Sequence, residues 1–223
     1  MPSVLITGCD KGIGREFALQ YAQAGFTVYA TYRDLANRLP EQTGMQHFAL
    51  DVTDFAQFDA IKKTLKNAPI DVLVSNAGIG LDTGELGALD FSYVRSMLMV
   101  NAVGPLKLVE TLVDNVAGSA QRRIVFVSSR MGSIGSNLSG GHYGYRASKA
   151  GLNAIGRSLA IDLFKRGITV FMLHPGRVNT DGGGADAPVT VGESVAAMRA
   201  AVARAGNHET GQFISYTGQP LPW

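Results

Sequence analysis

Seven short apolar runs separated by longer stretches of helical spacing constrain this chain more than any other feature. "SVLIT" (3–7), "FTVYAT" (26–31), "QHFAL" (46–50), "IDVLVS" (70–75), "RIVFVS" (123–128), "ITVFML" (168–173) and "GQFISY" (211–216) read as strands. They are almost continuously apolar, as strands covered on both faces of a parallel sheet must be. Between them, residues 12–24, 54–66, 90–117, 145–166 and 190–205 carry apolar positions at helical spacing. This alternation predicts right-handed βαβ units and an α/β, doubly wound (Rossmann) fold. Residues 1–223 are expected to form a single domain, large enough to bury its own core. Such a sheet keeps its ligand beyond the carboxyl ends of its strands, so functional residues should follow the strands directly.

The first strand end fits. "TGCDKGIGRE" places Gly8, Gly12 and Gly14 between a predicted strand and a predicted helix, with Lys11 and Ile13 among them. Glycines there permit a tight turn and a close approach of main-chain N–H groups to a pyrophosphate at the helix N-terminus. After the second strand, "YRD" puts Arg33 ahead of Asp34. A carboxylate would accept the ribose hydroxyls of NAD, whereas a guanidinium would grip the 2′-phosphate of NADP. Arg33 and Lys11 favour NADP, with NAD as the alternative. "LDVTD" offers Asp51 and Val52 for an adenine, and "SNAG" offers Asn76, Ala77 and Gly78 beside a ribose. Asn101 falls inside a long predicted helix, where asparagine is an unfavourable choice. "VSSRMGS" ends the fifth strand in hydroxyls, and "HPGRVNT" ends the sixth with Pro175, Gly176, Val178 and Thr180.

Composition closes off other classes. Twenty basic and eighteen acidic side chains give a net charge of +2. Their scatter leaves nucleic-acid or membrane binding without support. No uninterrupted apolar run approaches the ~18 residues of a membrane span. The single cysteine, Cys9, excludes an internal disulfide framework. His47, His142, His174 and His208 are too dispersed for metal-ligand spacing. The opening "MPSVLITG" lacks the basic segment of a signal peptide, so a cytoplasmic setting is expected.

In order and context, "TGCDKGIG", "DV", "NAG", Asn101, "SS", "YRASK" and "PGRVNT" resemble the short-chain dehydrogenase/reductase family over essentially the whole chain. "GGHYGYRASKAGLN", "LHPGRVNTD" and the final "LPW" resemble its C-factor and Sniffer-like carbonyl reductase branch. The resemblance implies a seven-stranded, mostly parallel sheet and NAD(P)-dependent oxidoreduction of carbonyl and hydroxyl groups. It implies a catalytic set of Asn101, Ser129, Tyr145 and Lys149, with Ile13, Tyr145, Lys149, Pro175, Gly176, Val178 and Thr180 along the cofactor. Asn101 would anchor a water leading from Lys149. By analogy it implies a homodimer, which the mass in solution tests.

The chemistry of the residues agrees. Hydride addition to a carbonyl needs a positioned proton donor. Lys149 lies one helical turn beyond Tyr145. A unit charge about 4 Å away at an effective dielectric near 20 is worth about 4 kcal/mol, enough to lower a phenol by roughly three pKa units. Tyr143 is out of phase with Lys149 and is assigned to the site mouth. Ser129 closes the fifth strand by resemblance, with Ser133 as its rival. "DGGGADAPVTVGES" after Thr180 is short and Gly-rich, which suggests an open lid and weak selection among small or hydrophobic aldehydes and ketones. An NAD-linked alcohol dehydrogenase and a dinucleotide-binding signalling protein are the alternatives.

Overall fold

The computed structural model describes every residue except 82–83, 181–183, 185, 205 and 207–208. Seven strands form one sheet: β1 (Ser3–Ile6), β2 (Thr27–Tyr32), β3 (Met45–Ala49), β4 (Val72–Ser75), β5 (Arg123–Val127), β6 (Thr169–His174) and β7 (Gln212–Ser215). Their order is β3-β2-β1-β4-β5-β6-β7. The sheet, expected to be mostly parallel, is parallel at every pairing between these strands. Val4 stands beside Val28 on one side and Val72 on the other, so strand order reverses between β1 and β4. The crevice for a ligand opens there.

Successive strand residues point to opposite faces, and each face has its own core. Val4, Ile6, Val74, Val125 and Phe171 pack against α1 (Gly12–Gln23) and α6 (Val191–Arg204) through Phe17, Ala18, Val195 and Met198. Leu5, Leu73, Ile124, Phe126 and Met172 meet α2 (Phe55–Leu65), α4 (Gly104–Ala117) and α5 (Tyr143–Asp162) through Phe58, Leu108, Leu112 and Leu152. This double coverage is why the strands read as unbroken apolar runs. Burying each large side chain contributes about 1.5–3 kcal/mol. Asp54 caps α2 by accepting from Ala56 N–H. Asp90 caps α3 (Phe91–Leu98) by accepting from Ser92 and Tyr93.

The long helix expected over 90–117 is interrupted. Between α3 and α4, Met99–Val103 forms a π-helical turn. Pro105 stands in the first turn of α4 and has no N–H for the carbonyl of Asn101 four residues earlier. A Cβ on Gly104 would lie 2.7 Å from the Val52 carbonyl oxygen, so the widened turn also presses against the β3–α2 loop. By length and composition the span 91–117 could cross a membrane. Here Leu108, Leu112 and Val116 are fully buried against the sheet.

Residues 219–223 fold back along β7. Ser215 N–H donates to Gln219 and Leu221 N–H donates to Phe213, each at 2.8 Å. The Trp223 ring lies 5.7 Å from that of Phe213.

Candidate active site

The glycine loop is shaped by close packing at the switch between β1 and β4. Gly8 and Gly12 have φ of +73° and +57°, a region that penalises any side chain. A Cβ on Gly14 would stand 2.1 Å from the Gly8 carbonyl oxygen and 2.4 Å from Asn76 Nδ2. Asn76 Nδ2 itself donates to the carbonyls of Thr7 and Gly8 at 3.0 and 3.2 Å. Thr7 Oγ1 accepts from Asn76 N and Ala77 N, both at 3.0 Å. These bonds lock the "NAG" loop to the glycine loop. Lys11 occupies the N-cap of α1 without a side-chain cap bond, and the first turn holds no acidic residue. That leaves a positive helix end facing the crevice. Ile13 packs against the core below. Thr180 approaches from the far side, its Cγ2 within 3.6 Å of where a Gly12 Cβ would be. Val178 is buried and pairs with Val189. Gly176 has φ +86°, and Pro175 accepts from Ser194 Oγ at 2.6 Å. A tight glycine turn at a positive helix end is an arrangement that a dinucleotide pyrophosphate fits.

At the ribose end, β2 runs one residue farther than the sequence suggests, to Tyr32, leaving Arg33 exposed just beyond it. Asp34 Oδ1 accepts from Ala36 N–H at 2.9 Å and so caps the short turn Leu35–Asn37. Asp10 accepts from the main-chain N–H groups of Arg33 and Asp34 at 3.2 and 3.1 Å, tying the two loops together. Arg15 adds a second tie, donating to the Asn37 carbonyl at 3.2 Å. Asp51 Oδ1 accepts from Thr53 N and Oγ1 at 2.8 and 2.7 Å. Those bonds, with the Arg33 charge nearby, hold its carboxyl below the usual range. Val52 is buried beside it.

The structure brings Asn101, Ser129, Tyr145 and Lys149 to one locus around the start of α5. Asn101 is fully buried. Its Oδ1 accepts from Ile79 N at 2.9 Å, while Nδ2 donates to Ile79 O at 3.1 Å and Ser148 Oγ at 3.0 Å. Ser148 Oγ donates in turn to the Tyr145 carbonyl at 2.8 Å. A Cβ on Gly78 would lie 3.2 Å from Asn101 Oδ1 and 3.7 Å from Lys149 Nζ, so the "NAG" loop touches both. Ser129 hydrogen-bonds the Tyr145 phenol. Ser133 is turned elsewhere: its Oγ donates to the Trp223 main-chain oxygen at 3.3 Å and accepts from Ser136 N at 3.0 Å. Tyr143 begins the helix and is half exposed.

One expectation is corrected. Lys149 does not depress the Tyr145 phenol in this arrangement. Its Nζ donates to the Val127 carbonyl at 3.0 Å and lies 5.9 Å from the centre of the Tyr145 ring, over its face. Burial therefore dominates and pushes the phenol above its ordinary value, with the Ser129 bond opposing. Burial also lowers Lys149 itself to about 8.

Sequence reasoning missed four residues here. Thr7, Asp10 and Ser148 sit inside the motifs already noted. Asn153 continues the Tyr145–Lys149 stripe of α5 by one more turn. A search for polar residues on that stripe would have found it. Of the proposed lid, positions 181–183 and 185 lie outside the described residues, as does His208. Burial, and then the Arg130 charge, lower His174 to about 4, which keeps it neutral. Among the described residues, no three His, Cys, Asp or Glu side chains converge as a metal site.

The comparisons with known proteins converge on one family. The sequence profile of the short chain dehydrogenase family matches residues 2–188. The chain is 39% identical over 155 residues to C-signal of Myxococcus xanthus, covering 70% of this chain and 93% of that protein. The solved carbonyl reductase Sniffer of D. melanogaster superposes with a TM-score of 0.93 at 30% identity, over 100% of both chains. A carbonyl reductase from Pseudomonas aeruginosa PAO1, solved in complex with NADP, superposes with a TM-score of 0.85 at 33% identity, again over 100% of both chains. The chain therefore belongs to the short-chain dehydrogenase/reductase family of oxidoreductases, in the branch that holds C-signal and Sniffer.

Proposed function

We propose that the protein is an NADPH-dependent carbonyl reductase acting on small or hydrophobic aldehydes and ketones, with residues 1–223 working as one dinucleotide-binding domain. The observation that carries this reading is the Tyr145 phenol bonded to Ser129, one turn from a buried Lys149 that lies beside the Gly78 loop. Lys11, Gly12 and Thr180 would hold the pyrophosphate, and Arg33 the 2′-phosphate. Asp34 is already engaged as a cap, which weakens its claim on a ribose hydroxyl. Bound NADPH supplies the hydride. Ser129 and Tyr145 would orient the substrate carbonyl oxygen, and Tyr145 would deliver the proton that the developing alkoxide takes. A raised phenol stays protonated at neutral pH, which suits an acid in the reducing direction. Lys149 would meet the phenolate with its charge only on turning its ammonium away from the Val127 carbonyl.

Exposed apolar side chains near Ser129 and Tyr145 in the chain support the substrate class. Between Ser129 and Tyr145 in the chain, Ile134 and Leu138 are 79% and 96% exposed and Tyr143 is half exposed. Nearby, a cavity of about 260 Å³ is lined by Leu81, Gly84, Ala88, Leu89, Asp90, Tyr93 and Val94. Its wall mixes apolar side chains with Asp90 and Tyr93, and the apolar share suits hydrophobic carbonyls.

Parallel titrations with NADPH and NADH against a panel of aldehydes and ketones test the proposal. Turnover with NADPH at a KM at least ~10-fold below that for NADH is expected, with Arg33→Ala narrowing the gap. A preference for NADH would instead favour an NAD-linked alcohol dehydrogenase. The likeness to C-signal favours a second reading, in which the chain acts through partners as a signalling protein. No reduction of any panel member would support that reading.

A further inference from the structure

Ser129 sits on a turn that contributes nothing to the sheet, so its position depends on what the turn packs against. It caps the short turn Arg130–Gly132, its Oγ accepting from Met131 N at 3.1 Å. A Cβ on Gly132 would lie 2.8 Å from the Lys149 carbonyl carbon, which places the turn flush on α5. Opposite it, Asn153 is buried with only 2% of its surface exposed. Its Oδ1 accepts from Ser128 Oγ at 2.7 Å, and its Nδ2 donates to the Gly132 carbonyl at 3.3 Å. One amide thus brackets the turn: one bond goes to the residue before Ser129, the other to the carbonyl that closes the turn. Tyr145, Lys149 and Asn153 are spaced four residues apart on the same face of α5. The helix that carries the phenol therefore also carries the clamp on its serine partner.

An apolar side chain of similar volume would fill this position without the cost of burying an amide. A buried amide whose bonds reach both flanks of one turn fixes geometry in a way that packing alone does not. The downstream side of the turn is anchored separately, by Ser133 to the Trp223 main chain, so Asn153 governs the Ser129 side. We infer that Asn153 is a positioning residue that sets the Ser129 turn on α5 and so holds the Ser129 hydroxyl against the Tyr145 phenol. The inference rests on the reading of Ser129, Tyr145 and Lys149 as the reducing centre.

The test is a double-mutant cycle in the full-length protein, with NADPH and p-nitrobenzaldehyde as probe. Asn153→Ala, Ser129→Ala and the double variant are compared for kcat, both KM values and NADPH affinity. Displacing a reactive group by a fraction of an ångström to 1 Å costs up to ~100-fold, so kcat for Asn153→Ala should fall ~10- to 100-fold. Both KM values and NADPH affinity should hold within about two-fold. The double variant should be no slower than Ser129→Ala, because both changes remove the same positioned hydroxyl. Additive losses, or a wild-type kcat in Asn153→Ala, would overturn the inference. Ser128→Ala is the milder second variant, removing only the hydroxyl that bonds Asn153 Oδ1. If Asn153→Ala does not fold, the same non-additivity between Ser128→Ala and Ser129→Ala supports the inference, and a wild-type kcat in Ser128→Ala overturns it. Tyr145→Phe separates the two levels. An inactive Tyr145→Phe beside a fully active Asn153→Ala sinks the positioning role alone, whereas an active Tyr145→Phe sinks the underlying centre with it.

Discussion

At Lys149, burial and charge pull against each other. Lys149 is 5% exposed, its ammonium donates to the Val127 carbonyl, and desolvation lowers it from 10.5 to about 8. The folded state therefore releases this proton near pH 8, whereas the unfolded chain holds it until about 10.5. Between those values the unfolded state binds the extra proton, so this residue's contribution to stability rises as pH rises. Below about 8 both states are protonated, and the cost of burying the charge is fully present. Lys149→Met should accordingly have the higher Tm at neutral pH, with the wild-type protein closing the gap as pH climbs from 8 toward 10.5. Thermal melts of the two proteins across that range check this, and a gap that stays constant or widens would contradict it. A lysine kept at such cost is better explained by chemistry than by packing.

At the level of elements, α5 carries Tyr145, Lys149 and Asn153 along one side, and its distance from the sheet sets how the site closes. Gly156 makes that distance short: a Cβ there would stand 2.4 Å from Met172 Sδ and 3.3 Å from Phe126. Gly156→Ala should push α5 outward, destabilise the protein by about 1–3 kcal/mol and lower kcat. Chemical denaturation and steady-state kinetics measure both, and an unchanged kcat in a destabilised protein would show that the site tolerates the shift. Elements of this kind were largely legible in the sequence. All seven strands stand where their apolar runs fall, because a two-sided core writes an unambiguous pattern. The π-helical turn at Met99–Val103 was not read from the sequence, although Pro105 leaves the Asn101 carbonyl without its helical donor. Helical spacing alone does not distinguish an α turn from a π turn. The sequence favoured Ser129 but kept Ser133 as its rival, because the bond that turns Ser133 away goes to Trp223, ninety residues beyond it. Lys149 spacing correctly placed it beside Tyr145, but the rotamer that turns it to Val127 is a tertiary outcome.

At the scale of the whole molecule, the site draws on residues from Gly8 to Thr180, and only the strand order brings them together. β1 and β4 part at the switch point, the glycine and "NAG" loops lock across it, and β5 and α5 supply Ser129 and Tyr145 on the neighbouring side. The carboxyl end of the sheet thus carries both the glycine loop and the proposed proton donor Tyr145. The central claim is that Tyr145 delivers the proton in an NADPH-dependent carbonyl reduction. Tyr145→Phe removes one hydroxyl and leaves the ring that faces Lys149. Steady-state reduction by this variant, with NADPH affinity measured alongside, is the most direct test. A kcat lower by at least ~100-fold with NADPH affinity within about two-fold is expected, and a near-normal kcat would contradict the claim.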